Sequence, residues 1–238
     1  GGMVVHSSAG GSALAVALVS GARRGFGTDP MEPHNIPTTV MGAALLWFGW
    51  FGFNAGSALA ANGIAANAFV TTNTSAAAAA TTWMLLSWRD RAPSALGIVT
   101  GAVAGLAAIT PAAGFVTPLA AVPIGVVAAI AGYYAIICIR GSGRVDDSLD
   151  VLACHGIGST WGVLATGIFA SIGAVGLLAG NSHQLLIQLL AVAVTWAYSF
   201  AVTFGLARII DALMGLRVKE EEEAVGLDIS QHGEGAYM

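Results

Sequence analysis

Four long stretches of the chain contain no Asp, Glu, Lys or Arg. They cover residues 1–22, 33–88, 92–139 and 151–207 of the 238-residue sequence. An α-helix rises about 1.5 Å per residue, and about 20 apolar residues are needed to cross a bilayer. The first stretch therefore suits one membrane-spanning helix, and each of the other three suits two, which predicts seven spans in total.

The composition supports a membrane protein. Hydrophobic residues make up 56% of the chain and charged residues 9%, whereas soluble domains carry roughly 25% charged residues. The 32 glycines favour helices that pack closely in lipid. The net charge of -4 comes largely from Glu220 to Glu223, so a basic surface for nucleic acid is excluded. We therefore predict an all-α fold, a polytopic membrane helical bundle.

Turn residues lie near the middle of each long stretch and predict where its two helices reverse direction. The first turn is Asn62-Gly63 followed by Asn67, the second runs from Pro111 to Pro118, and the third runs from Gly173 to Asn181 and His183. The predicted spans are 3–22, 38–61, 64–88, 94–112, 118–139, 150–172 and 185–214.

The charged junctions between the stretches must all lie on one membrane face, because each long stretch crosses and returns. That face would carry all nine basic residues of the chain: Arg23, Arg24, Arg89, Arg91, Arg140, Arg144, Arg208, Arg217 and Lys219. The positive-inside rule assigns that face to the cytoplasm. We predict a transmembrane domain at 1–215 and a cytoplasmic C-terminal tail at 216–238. Because the chain opens at Gly1 within an apolar run, we expect that earlier helices precede it.

Two histidines fall inside apolar helices. His6 lies 17 residues before Arg23, and His155 lies 11 residues after Arg144, which puts them about 25 Å and 16 Å from the charged face. Their helices run in opposite directions, as in an inverted repeat. Ionisable residues inside a membrane usually mark a transport pathway or a proton relay. The alternative is that each histidine only bonds a neighbouring helix.

A facing pair of neutral imidazoles can share one N–H···N hydrogen bond and leave one donor and one acceptor unused. Such a pair suits a small weak base better than a metal ion, because zinc requires three or four ligands and only the Cys154 thiol is adjacent. We therefore predict no metal site and no cofactor.

The densest aromatic run extends from Trp47 to Ser57. It could be an aromatic belt and a packing face. However, Phe53 and Ser57 share one helix face at i, i+4, and Trp50 lies in the same outer half of its span. This face could line a passage with an aromatic constriction and a hydroxyl at the outer mouth. Aromatic faces also attract cations such as ammonium.

Two further patterns favour structural roles. Asp146, Asp147 and Asp150 precede the His155 helix and are expected to cap it and compensate its dipole. Gly97, Gly101 and Gly105 form a small-residue stripe, which is typical of a packing face.

Four segments resemble the ammonium transporter (Amt) family. They are VVHSSAG at 4–10, PHNIPTTVMGAALLWFGWFGFNAGSA at 33–58, DVLACHGIGSTWGVLATGIF at 150–169 and GLRVKEEEEAVGLDISQHGEGAY at 215–237. The resemblance implies an eleven-helix subunit of a homotrimer, with one narrow hydrophobic pore per subunit and two inverted five-helix repeats. This chain would then be the fifth to the eleventh helix and the tail.

The resemblance also implies roles for individual residues. His6 and His155 match the family's twin pore histidines, which relay a proton and accept ammonia. Phe53 matches one ring of a paired phenylalanine gate, Ser57 a hydroxyl of the outer ammonium site, and Trp50 a pore-lining aromatic. The tail matches a region that couples subunits and can contact a PII-type regulatory protein.

The function predicted from these residues and from the resemblance is transport of ammonium or ammonia across a membrane. We expect this to be the plasma (inner) membrane, and the charge pattern predicts that the C-terminus is in the cytoplasm. One alternative is an ammonium sensor that signals through its tail with little flux. Another is an intramembrane hydrolase that pairs Ser7, Ser57 or Ser159 with a histidine. Since the sequence contains no rhomboid-like GxSG motif, we expect that the chain is not an enzyme.

Overall fold

The structure is a computed structural model that describes residues 1–90 and 92–235, and all regular structure within those residues is helical. Each of the seven predicted spans corresponds to a helix. They are α1 (Gly2–Ser20), α2 (Ile36–Gly56), α3 (Gly63–Asp90), α4 (Ala95–Ile109), α5 (Pro118–Ser142), α6 (Leu152–Phe169) and α7 (Ser182–Met214). The predicted all-α helical bundle is confirmed.

Five of these helices, α1, α2, α5, α6 and α7, are long and apolar enough to cross a membrane, judged by length and composition. The other two helices, α3 and α4, do not meet this test of length and composition. Helix α4 is apolar but has 15 residues. Helix α3 has 28 residues but carries buried hydroxyl groups that bond inward: Thr71 donates to the Ala113 carbonyl at 2.8 Å and Ser75 to the Gly105 carbonyl at 2.9 Å.

Side-chain caps fix where several helices begin. The Asn35 side chain accepts from the Thr38 N–H at the start of α2, and Ser94 and Thr117 do the same for α4 and α5. The Asp147 carboxylate accepts from the N–H groups of Val151 and Leu152. These are the backbone donors that a helix N-terminus leaves without partners. The predicted capping role of the acidic cluster is therefore confirmed at Asp147.

Helices α3, α4 and α5 pack through small residues. A Cβ added at Gly101 would collide with the Trp83 side chain, and one at Gly105 would collide with Ala79 and the Ser75 carbonyl. Close backbone approach of this kind is what a small-residue stripe permits. The predicted packing face at Gly101 and Gly105 is confirmed.

Asn67 was predicted to be part of the first turn, and this prediction is wrong. The Asn62 side chain caps the N–H groups of Ile64 and Ala65, so α3 has already begun when the chain reaches Asn67. The Asn67 amide instead donates to the Ala113 and Val116 carbonyls in the turn after α4.

Three predicted spans end three to five residues too late. They are 38–61, 94–112 and 150–172, whereas the corresponding helices α2, α4 and α6 end at Gly56, Ile109 and Phe169.

The loops that carry the basic residues meet at one end of the bundle. The Arg23 guanidinium and backbone N–H both donate to Asp146, whose side chain is 2% exposed. Arg140 donates two hydrogen bonds to Asp150. Arg91, which was also predicted on this face, lies outside the described residues.

The tail contacts the same end. A short helix, α8 (Glu220–Val225), follows α7, and a single π-helical turn follows at Asp228–His232. Arg217 donates to the backbone carbonyls of Ser20 and Ala22 at the end of α1, and to Glu223. The last three residues of the predicted tail, 236–238, lie outside the described residues.

Candidate functional site

The two intramembrane histidines are in direct contact. The Nδ1 atoms of His6 and His155 lie 3.0 Å apart. The two rings are stacked with centroids 5.1 Å apart and an angle of 24° between their planes. His6 is 4% exposed and His155 is partly buried. Because the rings are in contact, the predicted depths of about 25 Å and 16 Å cannot both hold. Residues 143–150 before α6 are not helical, so the rise of an α-helix does not give the depth of His155 when it is counted from Arg144.

Each histidine lies on a π-helical turn at the start of its helix. The turns are Gly2–Ser7 in α1 and Leu152–Ile157 in α6, and each continues into regular α-helix. Single π turns inside α-helices occur frequently at functional sites, since the extra residue turns one side chain out of its normal register. No residue pattern predicted these π-helical turns.

The two helices cross antiparallel. The Ser7 and Ser159 hydroxyls lie 2.8 Å apart and are buried, while Gly10 meets Gly156 backbone to backbone. Ser7 of α1 pairs with Ser159 of α6, and Gly10 pairs with Gly156. Residue numbers rise along α1 while they fall along α6, so the two helices run in opposite directions. This close crossing is what allows the two imidazoles to meet.

Trp50 and Phe53 of α2 complete the aromatic surroundings of the pair. The Trp50 indole stacks on His6 with centroids 5.1 Å apart and an angle of 16° between planes. Its Nε1–H donates to the Thr110 hydroxyl at 2.8 Å, which fixes the ring. Phe53 presents its edge to His6, with centroids 5.8 Å apart. Thr110 was not identified from the sequence, because it lies near the end of the predicted span 94–112 and no pattern links it to Trp50.

An open apolar groove of about 570 Å³ lies beside these rings. Its walls are His6, Trp50, Phe53 and apolar residues of α1 and α2. Within residues 1–90 and 92–235, the buried Nε2 atom of His6 has no hydrogen-bond partner. Buried polar atoms without a partner are rare and costly, so this one requires an explanation, and an acceptor or donor for a bound substrate is one that fits.

Ser57 lies one helical turn beyond Phe53 and is exposed. Its hydroxyl donates to the Phe53 carbonyl at 2.5 Å. Between them, Asn54 is buried and donates to Thr72 of α3 at 2.9 Å. The structure thus places Ser57 on the same side of α2 as Phe53, at the end of the bundle opposite the charged loops.

The hydrogen-bond inventory of the histidine pair follows from imidazole chemistry. If one Nδ1 carries the shared proton, that ring has a bare Nε2 acceptor, and the other ring carries a proton at its own Nε2. The pair therefore offers one acceptor and one donor beyond the shared bond. An exchange of tautomers moves a proton from one end of the pair to the other.

The alternative chemistries do not match this geometry. The Ser7 and Ser159 hydroxyls bond each other, and Ser57 bonds a backbone carbonyl, instead of a histidine. Cys154 packs in an apolar cluster with Ala79, Trp83, Ala104 and Ala129. Across the part of the chain that is described, no three His, Cys, Asp or Glu side chains group closely enough to hold a metal ion.

The chain is similar to known proteins over its whole length. The model of the Ammonium Transporter Family matches residues 1–237. The ammonium transporter Amt1 of Archaeoglobus fulgidus is 58% identical over 240 residues, which is 100% of this chain and 61% of that protein. The ammonium transporter of Bacillus subtilis is 47% identical over 244 residues, which is 100% of this chain and 60% of that protein.

Solved structures show the same fold. A sensor Amt protein superposes with a TM-score of 0.88 at 34% identity, covering 97% of this chain and 59% of that one. Candida albicans Mep2 superposes with a TM-score of 0.86 at 34% identity, covering 93% and 52%. The chain spans about six-tenths of the length of the curated relatives it matches. Because the family model and these relatives extend over the whole of it, the chain belongs to the ammonium transporter family.

Proposed function

We propose that the protein containing this chain transports ammonium across a membrane and that the nitrogen passes the histidine pair as neutral ammonia. The observation that carries this proposal is the 3.0 Å contact between the Nδ1 atoms of His6 and His155 beside an open apolar groove. A buried imidazole pair of this kind binds a small weak base through one donor and one acceptor. Family membership supports the same substrate.

The pathway begins at the end of the bundle opposite the basic loops. Ser57 supplies a hydroxyl acceptor for an ammonium N–H, and the aromatic face of α2 attracts the cation. Phe53 then restricts the passage, so the ion must lose its water to go further. Ammonium gives up one proton to the bare Nε2 of the histidine pair and continues as ammonia. Trp50 forms one wall of its route past His6.

The histidine pair carries the two products onward. Ammonia accepts a hydrogen bond from one imidazole N–H and donates to the other ring, while the released proton moves along the pair by tautomer exchange. Ammonia and the proton recombine on the far side, so one positive charge crosses for each nitrogen. Metal cations are excluded because the apolar walls do not replace their hydration shells.

Reconstitution tests this function. The complete protein in liposomes should give an inward current on addition of ammonium chloride, whereas protein-free liposomes should give none. Potassium chloride at the same concentration is the ionic control, because a dehydrated apolar passage excludes a permanent cation. Complete protein that produces no ammonium-dependent current, and no ammonium-dependent change in internal pH, would overturn the proposal.

The second candidate function is ammonium sensing through the tail. It is favoured by the likeness to the sensor Amt protein, which covers 97% of this chain, and by the contacts of Arg217 with the end of α1. A sensor would bind ammonium and change the exposure of the tail without current. Measuring current and tail protease protection on the same liposomes separates the two functions.

We further propose the assembly and orientation that the family resemblance implies. Residues 1–215 form the channel domain within a homotrimer, in the plasma membrane. Residues 216–238 form a cytoplasmic regulatory tail that can contact a PII-type protein. The gathering of Arg23, Arg140 and Arg217 at one end supports a cytoplasmic position for that end. Chemical crosslinking and protease access from each side of the membrane test these assignments.

A further inference from the structure

Trp196 of α7 lies against the crossing of the two histidine helices. A Cβ added at Gly156 would lie 3.0 Å from Cη2 and 3.1 Å from Cζ2 of this indole, and one added at Gly10 would lie 3.4 Å from Cη2. One edge of the Trp196 ring therefore covers both glycines at the point where the two backbones touch.

The Trp196 ring is held by a hydrogen bond to the second histidine helix. Its Nε1–H donates to the Thr160 hydroxyl at 2.9 Å. Thr160 lies one turn after Gly156 on α6, so the bond ties the far side of the indole to the helix whose glycine it covers. Without this bond the ring could rotate away from the glycine pair.

Helix α7 also holds the first histidine helix. The Ser12 and Thr203 hydroxyls lie 2.8 Å apart, and a Cβ added at Gly11 would lie 3.4 Å from the Phe200 backbone N and the Ser199 Cβ. Helix α7 thus contacts both histidine helices, and Trp196 is its contact with the crossing itself.

The crossing sets the distance between the imidazoles. Gly156 directly follows His155, and Gly10 lies one helical turn after His6, so a shift of the crossing shifts both rings. The two Nδ1 atoms lie 3.0 Å apart, and a side-chain contact of about 3.6 Å is no longer a hydrogen bond. The pair therefore tolerates a displacement of only a few tenths of an ångström.

We propose that Trp196 is a positioning residue for the histidine pair. Its ring packs against the Gly10–Gly156 contact, and its hydrogen bond to Thr160 holds the ring in that position. The two Nδ1 atoms therefore stay within hydrogen-bond distance. The effect on transport rests on the proposed function, whereas the effect on the imidazole geometry does not.

The first measurement is nitrogen NMR of the complete protein in lipid, with histidine labelled with nitrogen-15. The wild-type protein should show one ring protonated at Nδ1, one protonated at Nε2, and a scalar coupling between the two Nδ1 nuclei across the shared hydrogen bond. Trp196→Phe and Thr160→Val should both lose this coupling. Thr160→Ser keeps the hydroxyl and should retain it.

Two variants at similar residues serve as controls. Trp88→Phe removes an indole that is 62% exposed on α3, and Thr100→Val removes a hydroxyl that bonds within its own helix to the Leu96 carbonyl. Both should keep the coupling. In ammonium current, Trp196→Phe and Thr160→Val should each be about two- to tenfold below wild type, as expected for loss of one hydrogen bond. The ammonium current of the double variant should be no lower than that of the single variant with the smaller current.

The outcomes separate the two proposals. Retention of the wild-type coupling in Trp196→Phe or Thr160→Val would overturn the role of Trp196, as would its absence in the wild-type protein. Should Trp196→Phe fail to fold, Thr160→Val with Thr160→Ser still decides. If the coupling behaves as expected but the wild-type protein carries no ammonium current, the positioning role stands and the proposed function fails.

Discussion

Gly10 and Gly156 meet backbone to backbone where the two histidine helices cross, so that a Cβ at Gly156 would lie 3.1 Å from the Gly10 Cα. Contact this close allows no side chain between the helices. The same crossing places His6 and His155 together and gives the Ser7 and Ser159 hydroxyls their shared hydrogen bond. It is the structural basis of the proposed site.

Gly10→Ala should destabilise the protein and separate the imidazoles. The new methyl group would overlap the Gly156 backbone, which cannot move aside as a flexible side chain could. Overpacking of a close contact costs about 1–3 kcal/mol or more, so a lower unfolding temperature in detergent and a reduced ammonium current are expected. Gly141→Ala, in α5 with open space around its Cβ among the described residues, is the control. Equal unfolding temperatures for the two variants would contradict this prediction.

Ser57→Ala should weaken ammonium binding more than it slows maximal transport. Removal of the hydroxyl takes away one acceptor at the proposed outer mouth but leaves Phe53 and the histidines unchanged. The half-saturating ammonium concentration should rise by about two- to tenfold, as expected for one lost hydrogen bond. The current measured against ammonium concentration tests this, with Ser171→Ala, exposed in the loop after α6, as control. A lower maximal current at unchanged half-saturation would argue against a binding role.

The Arg23–Asp146 pair should make stability depend on pH. Hydrogen bonding to Arg23 lowers the pKa of Asp146 below its ordinary value, which is about 3.9. A carboxyl group with a lowered folded pKa contributes stability that is fully present above about pH 4 and is lost as pH falls through the folded pKa. Unfolding temperatures measured from pH 7 to pH 3 should therefore fall in acid.

Asp146→Asn should show a smaller decrease over the same pH range and should already be less stable at pH 7, by about 1–3 kcal/mol. Asp29→Asn, at an exposed carboxylate in the loop before α2, is the control and should follow the wild-type curve. An unchanged acid response in Asp146→Asn would show that this ion pair does not determine the acid sensitivity.

Glu223→Gln should release the tail. The backbone N–H of Arg24 and then the Arg217 guanidinium hold the pKa of Glu223 below its usual range, so its carboxylate is a charged acceptor for both. Loss of the charge should increase amide hydrogen exchange in residues 216–235 by about tenfold or less, with little change in the helices. Glu221→Gln, at an exposed position of α8, should exchange as wild type. Similar exchange in both variants would argue against this anchor.

The number and order of the helices could be predicted because charge is so costly in lipid. Every uncharged stretch became one helix or two, and turns formed near Asn62, Pro111 and Gly173. Helix ends were less predictable, since they depend on local caps such as Asn62 and Asp147. The hydroxyls of α3 bond carbonyls of α4 and of the turn after it, so their inward orientation could not be inferred from either segment alone.

The site was predictable in its residues but not in its geometry. His6 and His155 were identified because an ionisable residue in an apolar helix is rare, and Trp50 and Phe53 because they share one helix region with Ser57. The π-helical turns were not predictable, since they change backbone hydrogen bonding without a distinct residue pattern. Thr110, Thr160 and Trp196 contribute through contacts between distant segments, which one sequence does not reveal.

The most direct test of the histidine pair is the ammonium-evoked current of the complete protein with His6→Ala and His155→Ala combined. The pair is proposed to accept ammonia and to relay its proton, so removing both rings should reduce the current by at least about tenfold, a loss of about 1.4 kcal/mol or more in transition-state stabilisation. The variant must first show wild-type insertion and assembly in the same liposomes. An undiminished ammonium current from that assembled double variant would contradict the account.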